Sequence, residues 1–398
     1  MDTTTKKPDT SLVLVTGLGL LAVSIFLRYE FAPRQTALFL IGSGLGITLF
    51  HASFGFTGGW RQFVRKQRGA SIRAQLLLLA GTSLLFFPIL GQVFPQINVN
   101  GALGPVSVSV LVGAFLFGIG MQLGGGCGSG TLFTVGGGHV RMLITLSFFI
   151  IGTVVGTLHL SWWLALPNLG KVSLIDSLGW IPALLLQAVA LGVLYRVVAG
   201  MERRRHGRLD SLGGDTTDLS PARRLVFGPW PLWWGVAGLC VLSLLTLLVA
   251  GHPWSITFAF GLWGAKIWSA LGGDISAWSY WNSGYPAAAL QRSVLADTTS
   301  LMDIGIVLGA VLAAGLAGRF APPSKLKFNA VVTAILGGLL LGYGARLAFG
   351  CNIGGMLAGI ASGSVHGWLW LVAGFLGSVT GVRLRILFRM DSPFEAGQ

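Results

Sequence analysis

The chain has 398 residues, 53% of them hydrophobic and only 10% charged, against about 25% charged in an average soluble domain, which excludes a soluble globular protein. The net charge of +14 suits nucleic acid on its face, but the Lys and Arg residues gather in short stretches between apolar runs, the placement of the positive-inside rule; the lipid bilayer is the expected partner and nucleic acid is not. The three cysteines make no disulfide framework, and the apolar runs lack the period-two alternation of a β-barrel.

Lys6 and Lys7 precede the apolar run 12–27. No small-x-small cleavage pattern follows at Phe26–Tyr29, so the run reads as a first membrane helix and not as a signal peptide. Residues 36–60 read as a re-entrant element. The stretch 74–94 is a span, 107–138 is a span broken by its glycine cluster, and 142–166 and 178–195 are spans. The basic stretch 201–224 reads as a solvated, flexible linker. Beyond it, 231–250 crosses, 252–297 re-enters, 298–318 crosses, 329–360 is a second broken span and 367–382 the last crossing. Four regions rich in Lys and Arg (61–73, 196–224, 319–327 and 383–389) belong on the cytoplasmic face. The stretch 95–109 has no Lys or Arg and 160–180 has only Lys171, so both belong outside. Parity then gives nine crossings, with the N-terminus outside and the C-terminus cytoplasmic; Asp2 and Asp9 partly offset Lys6 and Lys7. The fold expected is an all-α polytopic membrane protein of about nine transmembrane helices with short re-entrant or broken helices. It divides into an N-terminal repeat (1–200, with 178–195 as the extra crossing), a cytoplasmic linker (201–224) and a C-terminal repeat (225–398).

The repeat rests on a phrase written twice. GIGMQLGGGCGSG (118–130) and GYGARLAFGCNIG (342–354) align without gaps at Gly118/Gly342, Gly120/Gly344, Leu123/Leu347, Gly126/Gly350, Cys127/Cys351 and Gly130/Gly354. Glycine matches are cheap in a chain with 60 glycines, but a cysteine match is not. The flanks VGAFLFG and LGGLLLG agree, and FGFTGGWR (54–61) relates to the first phrase as FAFGLWGAK (258–266) does to the second. Parity runs the two phrases in opposite directions through the bilayer. Inverted repeats with helices broken near the midplane are a transport architecture. Helix N-termini facing the breaks favour an anion, and four breaks, two from each half, form a constriction reached from both faces.

Cys127 and Cys351 are the leading site candidates, with Gly126 and Gly350 as the backbone beside them. A thiol donates weakly to a soft sulfur anion without trapping it, and as a thiolate it exchanges with sulfane sulfur. The competing role is packing, since small residues let membrane helices approach; symmetric repetition favours function. Cys240 has no symmetric partner and reads as structural. Arg346 has two readings, attraction of an anion into the membrane and snorkelling to the interface; its partner position is Gln122. Lys266 and Arg61 read as solvated, and His139 and His366 as interfacial or capping. No His or second Cys lies at metal spacing. No P-loop, Ser/His/Asp set or carboxylate pair is present, so no enzyme and no cofactor is expected. Asp274 and Asp303 are single carboxylates near membrane segments and carry no proton-coupling argument alone.

The doubled pattern G-x-G-x-x-L-x-x-G-C-x-x-G in an inverted nine-span chain resembles the YeeE/YedE family of bacterial inner-membrane sulfur-transport proteins, over roughly 36–160 and 250–385. The resemblance implies uptake of thiosulfate through an hourglass-shaped protein, with Cys127 and Cys351 at the waist passing the ion by S–H···S contacts. It also implies residence in the inner membrane and a TusA-type sulfur-carrier protein on the cytoplasmic side; some relatives are associated with selenium metabolism. One departure is visible. Thiosulfate-transporting members carry a further cysteine in the first re-entrant segment, where HASFGFTGG (51–59) has Gly55 or Ser53. Sulfite, sulfide and selenium compounds remain alternative cargoes. A membrane sulfurtransferase relaying sulfane sulfur to a carrier is the alternative activity, and a scaffolding subunit the least specific reading.

Overall fold

The computed structural model describes residues 7–213, 219–323 and 325–391. Asp2 and Lys6, which entered the charge balance of the N-terminus, and residues 214–218 of the linker lie outside the described residues. Among the described residues, ten helical stretches are long and apolar enough to cross a membrane, and the protein is an all-α polytopic membrane protein.

The chain opens with α1 (Thr10–Glu30), capped by the Asp9 carboxylate accepting from the Leu12 N–H, and α2 (Pro33–His51), with Pro33 at its first turn where a missing N–H costs nothing. The short α3 (Phe56–Lys66) follows, then α4 (Ala70–Leu90). After the strand β1 (Pro105–Ser107) come α5 (Val108–Gly124), the short α6 (Gly128–Gly136) and α7 (Val140–Leu164). β2 (Asn168–Lys171) pairs antiparallel with β1. The short α8 (Leu174–Leu178), the long α9 (Trp180–His206) and α10 (Pro221–Phe227) lead into the second half. There α11 (Leu232–Ala250) is followed by α12 (Thr257–Ala270), α13 (Gly284–Gln291), α14 (Thr298–Leu316) and α15 (Phe328–Leu347). A π-helical turn at Asn352–Leu357 runs into α16 (Ala358–Ala361), and α17 (Val365–Leu387) closes the bundle.

The element order repeats. The series α2, α3, α4, α5, α6, α7 corresponds to α11, α12, α14, α15, the π turn with α16, and α17. Packing repeats with it: α5 lies against α15 and α17, and α15 lies against α5 and α7. Glycine makes these contacts possible. A Cβ on Gly120 would stand 2.7 Å from the Leu341 nitrogen, and one on Gly344 2.7 Å from that of Phe117. The two backbones therefore touch, the small-residue packing that replaces the hydrophobic effect inside a bilayer.

Two expectations change. Residues 36–60 do not form one re-entrant element: α2 is a 19-residue helix, about 28 Å long, close to the ~30 Å of a bilayer core. Only the segment after it, through α3, re-enters. The additional crossing reverses α1, so the nine crossings become ten candidate spans. The Asp9 N–H donates to the Gly315 carbonyl at the end of α14 (2.9 Å), and Asn329 Nδ2 donates to the Phe388 carbonyl beyond α17 (3.2 Å). The start of α1, the 319–327 stretch and the end of α17 thus share one end of the bundle, here the linker end. The described ends of the chain, at Asp9 and beyond α17, therefore lie at the same end of the bundle.

The linker is also less free than its composition implies. Residues 201–206 continue α9, and Glu202, fully buried, pairs with Arg73 of α4 at 3.0 Å. Arg73 Nη2 donates to the Asp210 carbonyl, and Asp210 pairs with Arg68 at 2.7 Å. The cause is Arg73 itself: a guanidinium only 3% exposed needs a counterion at hand. Glu202→Ala leaves that charge unpaired and should cost about 3–5 kcal/mol. The check is thermal unfolding of the detergent-solubilised variant beside Arg73→Met/Glu202→Met, which should recover most of the loss.

Candidate functional site

Four short helical elements begin in the middle of the bundle and run outward. α3 and α6 run to the linker end, α12 and the π turn with α16 to the opposite end. The chain enters each of them through a break with positive-φ backbone: Ser53 (φ 46°), Gly125 (φ 93°), Gly251 (φ 78°), and Phe349 (φ 58°) with Gly350 (φ 146°). For Ser53 and Phe349 that conformation is strained.

The two cysteines cap two of these elements. Cys127 is the N-cap of α6, with φ −86° and ψ −167°, and its sulfur accepts from the Gly130 N–H at 3.4 Å. Cys351 is the N-cap of the π turn, with φ −85° and ψ −167°, and accepts from the Ile353 N–H at 3.4 Å. Each thiol occupies the place Ser or Asp takes at an ordinary helix start. The Ser129 hydroxyl is 3.5 Å from Cys127 Sγ, and the Phe56 backbone, at the start of α3, also points at that sulfur. Both cysteines are fully buried.

The caps face each other across a close contact. A Cβ on Gly128, the residue after Cys127, would stand 2.9 Å from Cys351 Sγ and 3.4 Å from the Ile256 side chain at the start of α12. A Cβ on Gly354 would stand 3.0 Å from Ser255 Oγ. All four helix starts therefore meet at one place, and their partial positive ends converge there.

Open space lies on both sides. At the end opposite the linker, a cavity of about 560 Å³ is lined by Arg34, His252, Ser255, Arg292, Thr298 and Thr299, among others. At the linker end, one of about 430 Å³ is lined by Arg61, Gln62, Arg65, Lys66, Arg68 and Asp391. Both mouths are basic. The Arg385 hydrogen bond, with Arg61 and Arg65 near, pushes the Asp391 carboxyl down to about 2, so it stays ionised at the linker-end mouth.

The other sequence candidates divide clearly. Gly55 is the N-cap of α3, its carbonyl held by Gln75 Nε2 at 3.2 Å, and a Cβ there would meet nothing within 4 Å. It fronts empty space beside the Cys127 end of the junction. Gly350 (φ 146°) is a tight turn whose Cβ would collide with Gly355, while its carbonyl accepts from Trp370 Nε1 at 3.1 Å. A Cβ on Gly126 would stand 3.0 Å from the Thr131 nitrogen. Arg346 faces α7, with its guanidinium 4.7 Å from the Tyr280 ring centroid and its stem against Gly156. Gln122 binds the Thr57 carbonyl and Ser378. Lys266 donates to the carbonyls of Leu290 and Arg292, both at 2.7 Å, and ties down the loop before α14. His366 bonds Ser364 and the Gly104 N–H near the start of α17, and His139 is the exposed N-cap of α7. Cys240 lies between α11 and α4, 3.9 Å from the Leu78 carbonyl. Arg61 lines the linker-end cavity. The reading of the sequence missed Arg34, Arg292 and Ser255, which line the cavity opposite the linker from loops and helix ends that only folding brings together.

The family profile described as sulphur transport matches residues 51–380, and the chain belongs to that family. The thiosulfate transporter TsuA of Spirochaeta thermophila is 26% identical over 379 residues, covering 88% of this chain and 98% of that protein. TsuA of Escherichia coli is 24% identical over 350 residues, 85% of this chain and 91% of its own. The probable transporter YedE of Escherichia coli is 31% identical over 150 residues, 37% of this chain; that alignment spans 36% of YedE, about a third of its length.

The two glycines predict opposite behaviour. Gly350→Ala forces a side chain into a disfavoured conformation and a backbone collision, and should destabilise by about 1–3 kcal/mol. Gly55→Ala has normal φ and open space, and should stay within about 0.5 kcal/mol of the parent. Melting temperatures of the two purified variants check both.

Proposed function

We propose that the protein imports thiosulfate, with the ion passing between Cys351 and Cys127 at the meeting point of the four helix starts. The observation that carries the reading is the pair of buried cysteine caps, alike in backbone conformation and opposed across the junction. Each helix start offers an anion about 0.3–1 kcal/mol, up to ~2 in partly buried geometry. That is small beside the cost of dehydrating a dianion. Thiols add weak, soft donors. The junction thus offers passage without a trap, as conduction requires, and the basic cavities raise the local anion concentration at each mouth.

Selective residues support sulfur over other anions: a thiol matches a polarizable terminal sulfur better than a hard oxyanion. Sulfite, sulfide and selenium analogues are the competing cargoes. The sulfurtransferase alternative needs a thiolate, which a helix start favours but full burial with no cationic partner among the described residues opposes. The sulfurs here have Ser129 and backbone amides as partners, which favours the hydrogen-bonding role and a transporter over an enzyme. We place the linker end in the cytoplasm of a bacterial inner membrane on its Arg and Lys content, with both chain ends on that side. The repeats run from α2 to α7 and from α11 to α17. A TusA-like carrier would meet the passage at the Arg61–Arg68 cavity. Import against an inside-negative potential costs a dianion about 4.6 kcal/mol per 100 mV, so accumulation calls for a coupled cation.

Cys127→Ala and Cys351→Ala should each lower uptake of ³⁵S-thiosulfate at least about tenfold, the equivalent of one ~1.4 kcal/mol contact, at unchanged membrane expression; Cys240→Ala should keep it. Normal uptake in both site variants would sink the reading. Thiosulfate labelled at both sulfurs should arrive intact, whereas a persulfide trapped on either cysteine would favour the transferase.

A further inference from the structure

Three acidic side chains are buried among the described residues: Glu202, Asp297 and Asp303. Glu202 is paired with Arg73. Asp297 caps α14, accepting from the Ser300 N–H and the Tyr285 hydroxyl, each at 2.7 Å. Asp303 is fully buried, and neither of its oxygens has a hydrogen-bond partner. An ionised carboxylate in that state is costly, so Asp303 needs a companion positive charge that no described residue supplies.

Its position is specific. One turn before it, Thr299 lines the cavity opposite the linker. One turn after it, Val307 lies against Gly136 of α6. Residues four apart share a helix face, so the face through Thr299, Asp303 and Val307 runs from the open cavity past the junction. Thr299 shares its cavity with Ser255, whose hydroxyl would stand 3.0 Å from a Cβ on Gly354, three residues after Cys351. Asn352, the residue after Cys351, is fully buried with its side-chain nitrogen and oxygen also unpartnered. Two unpartnered polar side chains thus belong to the same region of the passage.

The repeat sharpens the point. Asp303 is the sixth residue of α14, and the sixth of the matching α4 is Gln75. Gln75 is neutral and held at both ends, by the Gly55 carbonyl and Trp60 Nε1. The acid is therefore a one-sided departure from the symmetry. The titratable groups nearest along the chain's packing are Asp297 on its own helix and, on the elements that meet at the junction, Cys127 at the start of α6 and Cys351 at the start of the π turn. Cationic neighbours on the packed helices are engaged elsewhere. Arg34 of α2 bonds the Val249 and Ala250 carbonyls, and Lys266 of α12 the Leu290 and Arg292 carbonyls. His51 lies at the linker end of α2 beside Trp230. α1 carries Arg28, Tyr29 and Glu30 at the end beside the start of α14, all three exposed, and Arg223 and Arg224 are on α10. A metal cation needs about six oxygens, whereas a proton needs only the carboxylate.

We propose that Asp303 is a proton-carrying residue of the passage: it takes a proton from the cavity opposite the linker and releases it towards the linker end as the anion passes. This rests on the transport reading. The test uses the full chain in proteoliposomes, with the membrane potential clamped at zero by valinomycin and equal potassium. With the outside one pH unit more acidic, wild-type protein should accumulate ³⁵S-thiosulfate, up to about tenfold for one proton per ion. A protonophore should abolish the accumulation, and added thiosulfate should acidify a lumen containing pyranine. Asp303→Asn should equilibrate label without accumulating it, and Asp303→Glu should restore accumulation. Accumulation by Asp303→Asn, loss of equilibration in it, wild-type uptake indifferent to the protonophore, or uptake driven by a sodium gradient instead would each overturn the inference while leaving transport standing. No thiosulfate entry by wild-type protein under any gradient would overturn the transport reading itself.

Discussion

A helix that starts inside a membrane begins with amides that its own turns cannot satisfy. The architecture described above is arranged around four such starts. Water is scarce at this depth, so each break needs a local acceptor small enough not to hold the surrounding helices apart. In α6 and in the π turn the acceptor is a thiol. A sulfur at 3.4 Å from an amide is a weaker cap than the hydroxyl or carboxylate of a soluble helix, and that weakness leaves the amide and the thiol available to something passing between them. Structure and chemistry therefore ask for the same residue at the same place.

The close approach of the breaks depends in turn on glycine in the long helices. α5 and α15 touch backbone to backbone through Gly113, Gly120, Gly337 and Gly344. That contact fixes where α6 and the π turn begin, because each follows its long helix after only a few residues. Gly128 has the same role at the junction, where a methyl group would press on Cys351 Sγ. The thiols face each other because the scaffold is small at the right positions.

Much of this is legible in the sequence, because cysteine is rare in it and the doubled phrase is long. The all-helical membrane fold and the pairing of the two phrases followed from local composition. The extent of one element was harder to read. The run 33–51 holds three glycines and three polar residues in its second half, and 36–60 taken as a unit reads as a re-entrant loop; the structure gives its first part a full-length helix. The linker misled for a related reason, since its charges read as solvated until Arg73 supplied Glu202 with a partner. Asp303 was visible but mute, because burial and the absence of partners are properties of the folded chain. Arg34, Arg292 and Ser255 carry no local pattern at all.

The matched conformations of Cys127 and Cys351 have one more consequence. On the proposed transport reading, an ion entering from either side would meet a similar capped turn, the same soft atom and a comparable basic mouth. Such a conduit has no built-in arrow and behaves like an unratcheted valve, open to traffic in both senses. Vectorial movement must then come from outside the symmetric frame, from gradients across the membrane or from whatever removes the cargo once it arrives.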